Sequence, residues 1–339
     1  MKKLIINILK YLFFLAFGVF LLWLSFRKLD LKDVWVDILS ADYFWIFLAV
    51  VCAAIAHFFR ALRWNVLINS MGYKTRISTT FYAVFIGYMA NTAVPRMGEF
   101  MRCGVLSRKE KIPFNALFGS VISERIFDML VLLILLFSVL FFQWSFLGDF
   151  VNRMTAPFFD ALANNSLVLI ILSIFGVLML ALAFYVRYRY HHKLKELPGY
   201  HKVKKMLGEF YDGIITIKRM EHKWRFIIYT AIIWLFYALM IYFPFFMLPE
   251  TSHLSFMACI TFLAIGSLGI VAPVPGGIGA YHFIGKAVLF ELYGIDAAAA
   301  MSFVTITHAG QTLLHIFVGG LTYFIMFFVD HKRPVNEKI

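Results

Sequence analysis

Residues 256–293 read FMACITFLAIGSLGIVAPVPGGIGAYHFIGKAVLFELY, and the way this stretch is interrupted decides the kind of fold. An apolar run over 256–272 stops at Pro273-Val-Pro-Gly-Gly-Ile-Gly279 and resumes to Tyr293. Pro273 and Pro275 remove backbone donors, and Gly276, Gly277 and Gly279 admit backbone angles closed to other residues, so a helix must break here. In lipid the freed N–H and C=O groups have no partner, so irregular backbone of this kind must line protein or a cavity. A tight turn between two helices at the membrane surface is the plainer alternative.

Runs at 11–26, 129–142, 167–186 and 226–248 approach or reach the roughly 20 apolar residues that cross about 30 Å of hydrocarbon as helix. The 339 residues are 62% hydrophobic and 15% charged, with a mean hydropathy of +0.80, which excludes a water-soluble domain. The expectation is an all-α, polytopic transmembrane helical bundle of about eight passes with two re-entrant or broken helices, forming a single domain over 1–339. Lys2 and Lys3 before an apolar run imitate a secretory signal, but no small-x-small cleavage site precedes Arg27. A retained first helix is therefore expected, then a mixed-charge outer loop over 27–42 and a second helix from Tyr43 to about Arg63.

The formal charge of +13 is explained by loop distribution and calls for no nucleic-acid partner. Eleven Lys or Arg fall in 187–225 and four in 60–76, whereas 143–165 holds only Arg153. Basic loops stay on the cytoplasmic side, so both termini are expected in the cytoplasm, with the chain in the cytoplasmic (inner) membrane. Within 187–225, Val203, Leu207, Phe210, Ile214 and Ile217 recur at helical spacing among lysines, as in an interfacial amphipathic helix. Cys52, Cys103 and Cys259 have no metal or redox spacing and read as small core residues.

The second interruption lies in the other half of the chain. The apolar run over 81–94 is short, contains Asn91 and ends at Pro95 before Arg96, Glu99 and Arg102. Basic flanks on both sides suit a hairpin returning to the cytoplasm. Val94-Pro95 and Val274-Pro275 occupy corresponding halves, which suggests an inverted repeat whose half-helix N-termini offer N–H groups to an anion.

Several polar residues are candidates for chemistry. Arg96, Glu99 and Arg102 are spaced to put two guanidiniums beside a carboxylate on one helix face, either to hold a phosphate or to anchor the membrane surface. Glu124, Arg125 and Asp128 lie within about a turn, with Arg125 placed to pair Asp128 and Glu124 left for another helix or a proton. Arg60 and Arg63 beside Trp64 read as an interfacial belt. His308, Gln311 and His315 share a face, and with His282 they serve packing hydrogen bonds or titrate. His191, His192, His201 and His222 belong to the basic loop. No nucleotide-binding, hydrolytic or metal signature occurs, so neither cofactor nor metal is expected, and catalysis has no motif behind it.

Four blocks resemble the transmembrane, flippase-like region of the lysylphosphatidylglycerol synthase family. They are Arg60-Ala-Leu-Arg-Trp64, Asn91-Thr-Ala-Val-Pro-Arg-Met-Gly-Glu-Phe-Met-Arg102, Ser123-Glu-Arg-Ile-Phe-Asp128 and Pro273-Val-Pro-Gly-Gly-Ile-Gly279. In full-length members this region precedes a soluble aminoacyl-transferase domain that uses charged tRNA. The chain stops at Ile339, so the resemblance implies a stand-alone flippase-like protein and argues against lysyl transfer. The chain departs from the family where Tyr281-His282 stand in place of an acidic residue and His308 and Gln311 in place of an arginine.

The reading that follows is movement of an anionic, phosphate-bearing lipid between leaflets. Arg60, Arg63, Arg96 and Arg102 would attract the phosphate, the two breaks would supply backbone donors, and Glu99, Glu124 and Asp128 would pair arginines or carry protons. A phospholipid or polyprenyl-phosphate lipid is the expected partner, with a separate synthase or a second copy of the chain also open. The alternatives are a membrane-embedded transferase with Glu99 as base, and a non-transporting partner that positions a synthase through Lys204 and Lys205.

Overall fold

The computed structural model describes residues 2–27, 29–144, 222–271 and 274–329, with isolated residues 148, 156, 174, 178, 179 and 181. Apart from Gln143, Trp144 and those isolated positions, the expected outer loop over 143–165, the helix over 167–186 and the amphipathic helix with Lys204 and Lys205 lie outside the described residues, as does Pro273. Residues 1–139 with 219–339 form one compact unit, and residues 140–218 a second.

The fold is all-α, and no strand occurs among the described residues. In chain order the helices are α1 (Lys2–Phe26), α2 (Leu31–Ser40), α3 (Tyr43–Ser70), α4 (Ile77–Ala93), α5 (Met97–Glu110) and α6 (Phe114–Phe142). After these come α7 (Lys223–Tyr242), α8 (Phe256–Val271), α9 (Ala280–Ala287) and α10 (Ala297–Phe324). Among the described residues, four helices are long and apolar enough to cross a membrane: α3, α6, α7 with its extension to Met247, and α10 with its extension to Val329. A fifth span results if α1 and α2, bent by 91°, are taken as one.

The expected loop over 27–42 instead contains α2. Asp30 caps it by accepting from the Lys32 N–H at 2.8 Å, Val34 is buried, and Ser302 Oγ of α10 donates to Asp37 at 3.0 Å. An N-cap and one buried contact stabilise ten residues whose charges had suggested a loop. The three cysteines are buried and free, and Cys259 donates its thiol hydrogen to the Ala238 carbonyl at 3.0 Å.

Both interruptions are helical hairpins. α4 and α5 pack against each other through Gly87 and Gly98, where a methyl on Gly98 would overlap the Gly87 carbonyl and the Asn91 amide. Asn91 Oδ1 accepts from the Gly98 N–H at 2.7 Å, which fixes the start of α5. α8 and α9 likewise pack together, with Gly269 against the backbone of Ala280 and Tyr281. The two tips meet, because Gly276 lies beside the Thr92 backbone at the end of α4. α1 closes over the second tip: a methyl on Gly279 would overlap the Gly18 carbonyl.

Candidate functional site

Five charged side chains converge beneath the first hairpin. Arg60 Nε donates to Glu124 Oε1 at 2.6 Å and its Nη2 to Asp128 Oδ2 at 2.5 Å. Arg63 Nη2 reaches Asp128 Oδ1 at 2.7 Å and Glu124 Oε1 at 3.2 Å, and Arg102 Nη1 lies 3.2 Å from Glu124 Oε2. Arg60 Nη1 also donates to the hydroxyls of Tyr88 and Tyr237, both at 2.9 Å, and Arg63 Nη1 to Thr230 at 3.1 Å. Arg102 rests over the Trp64 ring at 4.8 Å, and the Trp64 N–H donates to Ser120 at 2.8 Å. Helices α3, α4, α5, α6 and α7 are thereby tied at one point. Burying charge this deeply is tolerated only when each member is paired, and removing one member costs about 3 to 5 kcal/mol.

This geometry corrects several sequence expectations. Arg60, Arg63 and Trp64 do not form an interfacial belt: they are 3%, 0% and 0% exposed, turned inward by the carboxylates of α6. Arg96, Glu99 and Arg102 do not form a carboxylate flanked by two guanidiniums. Glu99 pairs with Arg125 at 2.6 Å, while Arg102 turns to Glu124. Arg125 pairs with Asp128 at 3.9 Å, as the spacing expects, although its shorter bond is to Glu99, and Glu124 is taken by other helices, α3 and α5. The helix starts offer few free donors: Met97 N–H bonds the Val94 carbonyl, Gly98 N–H bonds Asn91, and the N–H groups of Gly277 and Ile278 bond Val274 and Pro275. Three-residue spacing permits a pair along one helix, but charges reaching across from neighbouring helices offer better geometry.

A groove of about 410 Å³ runs between α5 and α6. Phe100, Phe118, Val121, Ile122, Ile126 and Met129 line it with apolar surface, and Arg96, Glu99 and Arg125 supply its polar groups. Glu99 Oε2 is enclosed and has no hydrogen-bond partner. Arg96, next to the half-buried Pro95, is exposed and makes no ion pair among the described residues. Its backbone is left-handed, with φ 60° and ψ 9°, a conformation that costs a side-chain-bearing residue about 1 kcal/mol.

The histidines join the second tip to the rest of the bundle. His308 Nε2 lies 2.9 Å from the Gly276 carbonyl. His282 is buried, and its Nδ1 accepts from the Gly279 N–H at 3.4 Å; its ring is 4.8 Å from that of His308. Pro275, Gly276, Gly277 and Gly279 form the tip itself. Gln311 is half-buried and makes no hydrogen bond among the described residues, although it shares a helix face with His308. His315 meets His57 of α3 and stacks on Tyr88. His57, Tyr88 and Tyr237 escaped the sequence reading. The signal was His57 three residues before Arg60 in an apolar helix, since polar groups at that depth are costly.

Comparison with known proteins places the chain. The family described as Lysylphosphatidylglycerol synthase TM region matches residues 7–319. UPF0104 membrane protein MJ1595 of Methanocaldococcus jannaschii is 21% identical over 356 residues, covering 99% of this chain and 97% of that protein. UPF0104 membrane protein PH1989 of Pyrococcus horikoshii is 24% identical over 300 residues, covering 84% and 87% respectively. Glycosyltransferase AglD of Haloferax volcanii is 30% identical over 74 residues, 22% of this chain and 12% of that protein. No solved structure matches the chain. With four apolar helices of spanning length among the described residues, a pair of broken helical hairpins and a family match over most of its length, this chain belongs to the lysylphosphatidylglycerol synthase TM-region family of membrane proteins.

Proposed function

We propose that the protein binds a phosphate-bearing lipid at the groove between α5 and α6 and passes it between the leaflets of the cytoplasmic membrane. Arg96 carries the reading: an exposed guanidinium, without an ion pair among the described residues, in a left-handed conformation beside an apolar groove. A strained non-glycine residue persists where its side chain is needed, and guanidinium is well matched to phosphate. The apolar lining suits an acyl or prenyl chain. Arg60, Arg63 and Arg102 are buried and hold the helices together through Glu124 and Asp128. The test is transbilayer movement of fluorescent anionic, zwitterionic and polyprenyl-phosphate lipids in vesicles holding the purified protein. Arg96→Ala should slow movement of the phosphate-selective probe about tenfold, as expected for losing one charge-assisted bond of about 1.5 kcal/mol. Rates equal to those of empty vesicles, in folded protein, would refute the transport reading.

A second reading is a membrane-embedded transferase acting on a polyprenyl-phosphate sugar or phospholipid. Two observations favour it: the short match to a glycosyltransferase, and the unpartnered Glu99 Oε2 at the groove, where a base would face bound lipid. The salt bridge of Glu99 to Arg125 weighs against it, because that pairing holds the carboxylate ionised and occupied on one side. Mass spectrometry of polyprenyl-phosphate sugar incubated with the protein and with Glu99→Gln separates the two readings. A product lost in the variant would establish the transferase.

A further inference from the structure

The charge cluster and the groove leave one buried imidazole pair without a role. His57 on α3 is 4% exposed, and its Nε2 lies 3.1 Å from Nε2 of His315 on α10, 258 residues further along the chain. Two neutral imidazoles at this distance require one Nε2–H to donate to the bare Nε2 of the other. His57 Nδ1 is enclosed and has no hydrogen-bond partner among the described residues. A buried N–H without a partner is rarer than an acceptor without one, which assigns the shared hydrogen to His57 and leaves its Nδ1 as a lone pair. That lone pair is the position at which His57 would take up a proton. Once protonated, His57 is an imidazolium that still donates its Nε2–H to His315, and the bond gains charge assistance.

The surroundings connect this pair to the charge cluster. On α4, the Tyr88 ring lies 4.1 Å from the His57 ring and 4.8 Å from the His315 ring, and its hydroxyl accepts from Arg60. Tyr237 on α7 and Phe85 on α4 complete the aromatic wall at 6.5 and 5.3 Å from His57. Arg60 follows His57 by about one turn of α3 and binds Glu124 and Asp128 of α6; His308 precedes His315 by two turns of α10. Three arginines already face two carboxylates in that cluster, so no negative charge is left over to neutralise a new cation. A charge on His57 therefore repels Arg60 through a low-dielectric path.

We propose that the His57–His315 pair is a proton-binding site whose occupancy biases the Arg60 cluster, so that proton uptake is coupled to lipid movement. The coupling rests on the transport reading above; the proton site does not. The proton comes from water and returns to it, and no bond to lipid is made.

Ring-nitrogen NMR of histidine-labelled protein in lipid nanodiscs tests the site directly. As the pH is lowered from about 8 to about 3, the signals of His57 and His315 should move together. His315→Gln should alter the titration of His57, and His57→Gln that of His315. Ring signals that stay constant across the range, or that titrate alike with and without the partner, would overturn the site. In vesicles, an imposed proton gradient should change the rate of lipid movement severalfold, and the ratio of rates with and without gradient should fall to about one in His315→Gln. A ratio unchanged in the variant would overturn the coupling. Absence of any lipid movement by the unaltered protein would overturn the transport reading and the coupling with it, while the NMR titration still decides the proton site.

Discussion

The two hairpin tips are the same turn made with different residues. Val94 and Val274 are extended, as residues before proline prefer, and the residue after each proline is left-handed: φ 60°, ψ 9° at Arg96 and φ 58°, ψ 7° at Gly276. Each turn is closed by a bond of 3.2 Å, from Met97 N–H to the Val94 carbonyl and from Gly277 N–H to the Val274 carbonyl. This is a type II turn, whose third position favours glycine. The second tip has glycine there, lies against Thr92 and binds His308 through its carbonyl. The first carries an arginine that the conformation disfavours, and its side chain stays exposed. One tip is built for contact inside the bundle, and the other holds a cation at the groove.

Three substitutions break or sharpen this comparison, judged by thermal unfolding in detergent. The largest effect is expected at Gly279→Ala, where the added methyl meets the Gly18 carbonyl and the backbone has φ 82°. Overpacking and left-handed strain together should destabilise by about 3 kcal/mol. An unchanged unfolding temperature would show that α1 does not press on the second tip. Asn91→Ala removes the side-chain acceptor of the Gly98 N–H and should cost about 1 kcal/mol, more than loss of the longer, 3.4 Å bond from Gly279 N–H to His282 at the second tip. Smallest, and opposite in sign, Arg96→Gly should stabilise by up to about 1 kcal/mol by relieving the turn, while slowing lipid movement as Arg96→Ala does. A variant that is both more stable and fully active would leave the arginine without a purpose.

Much of the architecture was legible because its causes are local. Apolar runs long enough to span lipid, and Val-Pro breaks followed by glycine, act on the residues that contain them, so helices and interruptions follow from composition and spacing. The limit appeared first in the 27–42 segment, where one capping aspartate and packing against α10 formed a helix among charges. At the site, spacing identified Glu124 and Asp128 as residues costly to expose and paired Asp128 with Arg125, but it placed Arg60 and Arg63 at the membrane surface and not on those carboxylates. Glu124 is 61 and 64 residues from the arginines of α3 that it binds. Such pairings depend on which helices become neighbours, and helix packing is set by side-chain complementarity over the whole bundle.

The sequence by itself determined the class of this protein: helical, membrane-embedded and twice interrupted, because hydrocarbon imposes length and backbone satisfaction on every segment separately. The tertiary structure alone decided that the two tips touch, that Arg96 stands free while its neighbours are paired, and that His57 shares a hydrogen with His315. Those facts turn on distances of about 3 Å between residues far apart in the chain, which only the packed bundle determines.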